Sequence, residues 1–193
     1  MKKYLFLMLL LLAVFCIGCN QKKIAEEPAE EDGGVRNDSS YDAPKVIESN
    51  LIIAFQCEFS ALAISEEDTY LSGKNYQLEA RLKDGAVKGN YHSYGRHGER
   101  EDGNFAADHS FMYRLQEIVA KYDFAQYNGT SITVSGLPEM YGVSLQIVYA
   151  SGERIYISNN QECFLPLAAM EELEMLFRQE LPAVSASDNM TEE

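Results

Sequence analysis

The chain has 193 residues and a formal net charge of −14, from 30 acidic and 16 basic side chains. Such an acidic body argues against a nucleic-acid binder, because lysines and arginines must neutralise the phosphates. It also argues against a protein that lies flat on anionic lipid. The length suits one domain with a proper hydrophobic core and no need for stapling disulfides or metals.

The first nineteen residues have the layout of an export signal. Residues 1–3 are basic, residues 4–17 form an almost unbroken apolar run, and Gly18 and Cys19 close it. A positive start, an apolar stretch and a small residue are typical of a cleaved secretory signal. The apolar run of about 14 residues is shorter than the roughly 20 that a membrane-spanning helix needs.

A cysteine directly after the small residue resembles the lipobox of bacterial lipoproteins, although Cys16 stands where Leu is usual. The resemblance implies that residues 1–18 are a lipoprotein signal peptide and that Cys19 is acylated and becomes the mature N-terminus. Acyl chains would hold the protein at the extracytoplasmic side of the cell membrane without a transmembrane helix. An ordinary cleaved signal and a single-pass anchor are the alternatives.

Two polar stretches flank the predicted domain. Residues 19–45 combine a run of acids with proline and glycine, and predict a disordered acidic tether that holds the domain away from the membrane. Residues 183–193 predict a disordered tail. The α+β domain is therefore predicted to span residues 46–182.

The first strand is predicted at residues 51–59, where apolar and polar residues alternate. Its apolar face consists of Leu51, Ile53, Phe55, Cys57 and Phe59. We interpret Cys57 as a buried thiol that acts as a small apolar side chain. A disulfide with Cys163, which an exported location permits, is the alternative.

The next stretch predicts a β-hairpin followed by a helix. Residues 76–82 alternate, Asp84 and Gly85 supply a two-residue turn, and residues 86–91 return. A helix follows near Asp108, a residue that suits the N-cap position. Its apolar stripe has helical spacing and consists of Phe111, Met112, Leu115, Ile118, Val119 and Tyr122.

A second hairpin and helix follow a short strand predicted at residues 131–134. Residues 143–149 alternate, Ser151–Gly152 makes the turn, and residues 154–158 return. A helix then begins around Pro166, a good first-turn residue. Its apolar stripe consists of Leu167, Met170, Leu173, Phe177 and Leu181, and its acids Glu171, Glu172 and Glu174 are interpreted as a solvated face.

Both halves combine an apolar strand face with an apolar helix stripe. The economical arrangement is an α+β fold with an antiparallel sheet of four to five strands and two helices on one face, built as a pseudo-repeat of hairpin–helix units. The second half is similar to small uncharacterised bacterial lipoproteins with one compact α+β domain after an acidic linker. The similar stretches are QYNG at 126–129, SGLPEMYG at 135–142 and NNQECFLPLAAMEELE at 159–174. No activity comes with that resemblance.

Three histidines lie in or beside a segment that only the first half carries: His92, His97 and His109. Imidazole nitrogens are ligands that zinc accepts, so these residues suggest an alternative function as a small metal-dependent enzyme. Their spacing matches no compact metal motif. Residues 95–104 instead indicate a solvated, glycine-rich loop.

Tyr127 and Tyr141 flank the connection between the halves and are the candidate binding residues. Exposed tyrosines give contact area at low entropy cost, which suits a protein partner from the envelope. The alternative is turn chemistry with the tyrosines packed over the sheet. The binding interpretation further predicts an apolar or aromatic patch on the sheet face away from the helices.

Catalytic and cofactor motifs give no support to an enzyme. No serine lies in a G-x-S-x-G elbow, and neither Cys57 nor Cys163 has a histidine near it in sequence. No phosphate loop or dinucleotide fingerprint is present, so we expect no cofactor. The sequence favours a membrane-anchored envelope lipoprotein that binds a partner, over the metal-dependent enzyme and over a purely structural envelope component.

Overall fold

The structure, a computed structural model, describes residues 34–136 and 142–182. These residues form eight strands, two α-helices and one short 3₁₀ helix. The strands are β1 (Val35–Asn37), β2 (Ile52–Ser60), β3 (Lys74–Lys83), β4 (Ala86–Gly95), β5 (Arg100–Asp108), β6 (Ser131–Val134), β7 (Val143–Tyr149) and β8 (Arg154–Asn159). The helices are α1 (Ser110–Lys121), α2 (Leu167–Arg178) and the 3₁₀ helix Phe124–Tyr127.

All eight strands belong to one sheet, in the order β1-β6-β8-β7-β2-β3-β4-β5. β6 and β8 are parallel and the other neighbouring strands are antiparallel. The α+β class is confirmed. The predicted number of strands, four to five, was too low, and the prediction of a purely antiparallel sheet missed the parallel pair of β6 and β8. The structure does not show the predicted pseudo-repeat, because the four neighbouring strands β2–β5 precede α1 whereas the hairpin β7–β8 precedes α2.

Strand β5 replaces most of the loop predicted at residues 95–104. Only residues 96–99 separate β4 from β5, which pair along their whole length. The prediction failed because the inward positions of β5 begin with Glu101 and Gly103, so no apolar alternation marks the strand. Phe105 supplies its large apolar side chain, and the ring covers Gly89 on β4, where a Cβ atom would lie 2.0 Å from the ring.

The start of β2 differs from the alternation predicted for it. Ile52 is fully buried, whereas Leu51 and Ile53 are half-buried, because the pairing with β7 shifts register between Ile52 and Ala54. A β-bulge of this kind moves the following side chains to the other face. The prediction is confirmed beyond the bulge, where the buried side chains are Phe55, Cys57 and Phe59.

Part of the predicted tether is ordered, because β1 pairs with β6. Asn128 holds the chain that follows β1: its Nδ2 donates to the carbonyls of Pro44 at 2.9 Å and Arg154 at 3.0 Å. The predicted boundary at residue 46 is therefore too late, since the ordered domain already includes β1. The signal peptide, the first part of the tether and the C-terminal tail (residues 1–33 and 183–193) lie outside the described residues.

Both helices pack on the same face of the sheet. The ring of Phe177 on α2 lies 5.1 Å from Phe111 on α1 and within 6 Å of Phe55 and Phe105 on the sheet. The predicted contacts are confirmed in one core that contains Leu78, Phe111, Leu115, Ile118, Leu145, Ile147, Leu173 and Phe177. Over the described ranges, no helix is long and apolar enough to cross a membrane.

Candidate functional site

In the part of the chain that the structure describes, no helix or strand packs on the sheet face opposite the helices, and we call this face the open face. Cross-strand register arranges its side chains in rows that run across the strands. The central row is polar throughout: Ser158, Ser144, Glu58, Gln77, His92 and Asp102, each opposite the next. The predicted apolar or aromatic patch is absent from this central row. Tyr94 on β4 and Tyr156 on β8 are 47% and 50% exposed on this face, but three strands lie between them.

Cavity A lies at one end of the open face and has a volume of about 260 Å³. The side chains that line it include Glu58, Ser60, Asn75, Tyr94, Thr133 and Ser144. Hydroxyls and amides both donate and accept hydrogen bonds, and Glu58 adds a carboxylate acceptor. This combination suits a polar ligand that is neutral or positively charged.

The wall of cavity A beside β8 is held in place by two residues. The Asn160 amide accepts from the backbone N–H of Val134 at 2.8 Å and donates to its carbonyl at 3.0 Å, so it joins β6 to β8. Gly142 lies so close to β8 that a Cβ atom would be 1.8 Å from the carbonyl oxygen of Asn159. The cavity is therefore built on a fixed backbone.

Cavity B lies on the same face toward the other end of β2 and has a volume of about 390 Å³. Its floor is the small side chain of Ala54. Amides and charged side chains line the cavity around that floor: Gln56, Asn90, Gln146, Glu79, Arg81 and Lys88. The two cavities thus differ in chemistry although they share one surface.

The three histidines do not converge. His92 lies on the open face, where its Nδ1 is 2.6 Å from Oδ1 of Asp102, while His97 is in the β4–β5 turn and His109 precedes α1. His97 and His109 lie at opposite ends of β5, about 25–30 Å apart for a strand of this length. Within residues 34–136 and 142–182, no group of three His, Cys, Asp or Glu side chains is placed to hold a metal ion.

His92 and Arg100 shift the pKa of Asp102 on the open face. Hydrogen bonds from His92 and then from Arg100 hold the pKa of Asp102 below its usual value. The Asp102 carboxylate therefore already accepts hydrogen bonds from two neighbours on the same face, His92 and Arg100. This arrangement explains His92 as part of a surface polar row rather than as a metal ligand.

Of the two candidate binding residues, Tyr127 and Tyr141, the structure describes only Tyr127. Tyr127 is half-buried, and its ring lies 4.6 Å from that of Phe164 at the margin of the core. The structure therefore places Tyr127 in packing and not on an exposed rim, as the alternative interpretation expected. Tyr141 and Cys19 lie outside the described residues.

Sequence reasoning missed a buried polar cluster around Glu174 on α2. The side chain of Glu174 was interpreted as solvated, but the residue is 1% exposed. Its carboxylate accepts from the hydroxyls of Tyr91 at 2.8 Å and Tyr70 at 2.9 Å, and Nη1 of Arg178 lies 3.3 Å away. Position 174 follows Met170 by one helical turn and precedes Phe177, so its place in the buried stripe could have been recognised.

Burial is the main cause that raises the pKa of Tyr91 and of Tyr70, and the nearby Glu174 raises both further. Both hydroxyls therefore stay protonated and donate to the carboxylate. The cluster joins the β2–β3 connection, β4 and α2, and its polar atoms are engaged with one another. We interpret it as a structural network.

Cys57 and Cys163, the two cysteines in the part of the chain that the structure describes, are free thiols. Cys57 is fully buried and burial raises its pKa well above the usual value, which confirms its interpretation as an apolar filler. Burial also raises the pKa of Cys163 to about 11, and its Sγ lies 3.8 Å from Sδ of Met170. Neither thiol is poised as a nucleophile, because the thiolate is the reactive form.

Comparison with known proteins assigns the chain to no family: no family model, curated protein or solved structure matches it significantly. Its function must be inferred from its own residues.

Proposed function

We propose that the chain is a lipoprotein, anchored through acyl groups on Cys19 at the extracytoplasmic side of the cell membrane, whose domain binds an envelope partner on its open face. The order of basic, apolar and small residues before Cys19 supports the anchor. One structural observation carries the binding role. Among residues 34–136 and 142–182, no helix or strand covers one face of the eight-stranded sheet, and that face holds two cavities.

Cavity A is the better place for the partner, because its polar groups are less committed to neighbours. On the adjoining strands, Glu79 already accepts from the amides of Gln77 and Asn90, both at 3.3 Å. Glu58 has only a long contact of 3.5 Å with Gln56. A carboxylate beside hydroxyls and Tyr94 favours a protein segment that presents amides or a positive charge.

The test is capture of partners from an envelope extract by the full chain in detergent. The variant Glu58→Gln/Tyr94→Ala changes cavity A, and Glu117→Gln/Tyr113→Ala is the matched control on the exposed side of α1. We expect the control to recover the same partners as the unchanged protein and the cavity A variant to lose them. Equal recovery by both variants would exclude cavity A as the binding site.

A further inference from the structure

Positive side chains on the open face are distributed unevenly. Many of the domain's cations have an acidic partner, including Arg36, Arg100, Arg114, Lys121 and Arg178. Seven others form no such ion pair among residues 34–136 and 142–182. Lys45 and Arg96 donate to backbone carbonyls and Lys74 is half-buried. The remaining four are exposed toward the end of the open face that holds cavity B: Arg81, Lys83, Lys88 and Arg154. Unpaired cations gathered at one place are unexpected in a chain with 30 acids and 16 basic residues.

Two of these cations face each other directly. Arg81 on β3 is the cross-strand partner of Lys88 on β4. Like charges in opposite positions destabilise a sheet, so nothing in the fold itself favours this pair. Both side chains line cavity B.

A third cation, Arg154, lies in the same cross-strand row just beyond the lining of cavity B. The row continues from Arg81 to Ala54 on β2, then to Val148 on β7 and Arg154 on β8. Arg81 and Arg154 are therefore three strand spacings apart, about 14 Å between Cα atoms. The short side chain of Ala54 leaves the space between them open, so two arginines can approach one group from opposite sides.

The acids near cavity B are already engaged or lie to one side. Glu79 accepts from the Gln77 and Asn90 amides. Glu153, the neighbour of Arg154 in sequence, accepts from the backbone N–H groups of Glu48 at 2.9 Å and Ser49 at 3.0 Å. Asp84 belongs to the β3–β4 turn and does not line the cavity. The cations thus keep their charge available for a ligand.

We propose that cavity B binds a small organic anion, with a phosphate or carboxylate group held between Arg81, Lys88 and Arg154. Guanidinium groups bind such oxyanions through paired hydrogen bonds, and the amides of Gln56 and Gln146 would meet the polar body of the ligand. The chain's overall negative charge does not prevent this, because charges more than about 8 Å away are largely screened at physiological ionic strength. The inference rests on the proposed function only in assigning ligand binding to the open face.

Isothermal titration of the full chain in detergent with inorganic phosphate, at physiological ionic strength, tests the site. Arg81→Gln removes a cavity cation, and Arg100→Gln is the control, because it makes the same charge change on the same face beside Asp102. We expect saturable binding to the unchanged protein and the control, and at least about tenfold weaker binding to Arg81→Gln. Equal weakening in both variants, or no saturable binding of phosphate or of acetate, would overturn the proposal.

A second variant tests whether the anion occupies the space above Ala54, without changing the charge of cavity B. Ala54→Leu fills the floor of cavity B, and we expect it to weaken binding as Arg81→Gln does, with thermal unfolding to confirm that each variant is folded. Unchanged affinity in a folded Ala54→Leu protein would place the anion elsewhere. Titration with acetate in place of phosphate distinguishes the two oxyanions. Loss of this binding leaves partner capture at cavity A unaffected, so the two proposals fail separately.

Discussion

The hydroxyl of Tyr91 donates a hydrogen bond to Oε1 of Glu174 across 2.8 Å, and this bond joins the middle of the sheet to α2 inside the core. A buried carboxylate is costly unless its oxygens are paired. The Tyr70 hydroxyl and the Arg178 guanidinium provide the other contacts. The position of α2 over β4 therefore depends on polar contacts as well as on aromatic packing.

Tyr91→Phe removes the donor and leaves one carboxylate oxygen with the long Arg178 contact. We expect the free energy of unfolding to fall by about 1–3 kcal/mol, as for a buried group that loses its partner. Urea denaturation followed by circular dichroism measures it. Tyr113→Phe, on the exposed side of α1, is the control and should stay within about 0.5 kcal/mol of the unchanged protein. A similarly small change for Tyr91→Phe would show that the contact is dispensable.

Alkaline pH should destabilise the domain through its buried tyrosines. Burial raises the pKa of Tyr76 and of Tyr91 above the usual value near 10, and that of Tyr149 to about 12. The folded state then holds these protons more tightly than the unfolded state, so the stabilisation is complete below pH 10 and is lost as the pH rises above it. Urea midpoints between pH 8 and pH 11 measure the decline, and Tyr149→Phe should make it less steep. An identical slope in that variant would contradict the role of Tyr149.

Truncation of Leu115 or Phe177 to Ala tests the single core beneath both helices. Both side chains are fully buried, so each change should cost roughly 2–5 kcal/mol by denaturant unfolding. Met175→Ala, an exposed position on α2, is the matched control. Losses below about 1 kcal/mol at Leu115 and Phe177 would mean that these positions are not in the core.

Gly89→Ala should destabilise the β4–β5 hairpin, because the new Cβ would collide with the Phe105 ring. We expect a cost of about 1–3 kcal/mol, as for other overpacked sites. The double variant Gly89→Ala/Phe105→Ala should cost less than the sum of its single changes, because removal of the ring relieves the collision. Strict additivity in this double-mutant cycle would show that the two positions act independently.

Cys19→Ser should abolish incorporation of a radioactive fatty acid into the protein in cells that export it. The reason is that acylation requires the thiol at that position in the lipobox. Cys16→Leu is the control, because Leu is the usual residue there and should preserve labelling. Equal label in the Cys19→Ser protein would contradict the proposed anchor.

The sequence predicted those elements whose signals are local. The helix stripes that contain Leu115 and Phe177 were recognised from their 3.6-residue period, and the hairpin turn at Asp84 from its composition. β5 was missed because Glu101 and Gly103 interrupt its inward face. The burial of Glu174 depends on the hydroxyls of distant tyrosines, which no local pattern reports.

The sequence predicted a sheet face away from the helices, but not the group of positive side chains on it, and the reason is different. Ala54, Arg81 and Arg154 become neighbours only through the strand order β8-β7-β2-β3 and through the register that follows the bulge in β2. Each of them alone is an ordinary exposed or half-buried strand residue. They lie in one row only because strands that are distant in sequence pair with one another, and the spacing of residues along the chain does not reveal that pairing.

Strand β1 also brings the N-terminal end of the described domain next to cavity A. The Gly34 carbonyl accepts from the N–H of Ser135 at 2.9 Å, and Arg36 lies opposite Thr133, which lines cavity A. The chain therefore enters the sheet at the rim of that cavity. Even fully extended, residues 20–33 span at most about 50 Å. If Cys19 is acylated as proposed, this span is the greatest distance between the membrane surface and the start of β1. It favours partners embedded in the same membrane over those deeper in the envelope.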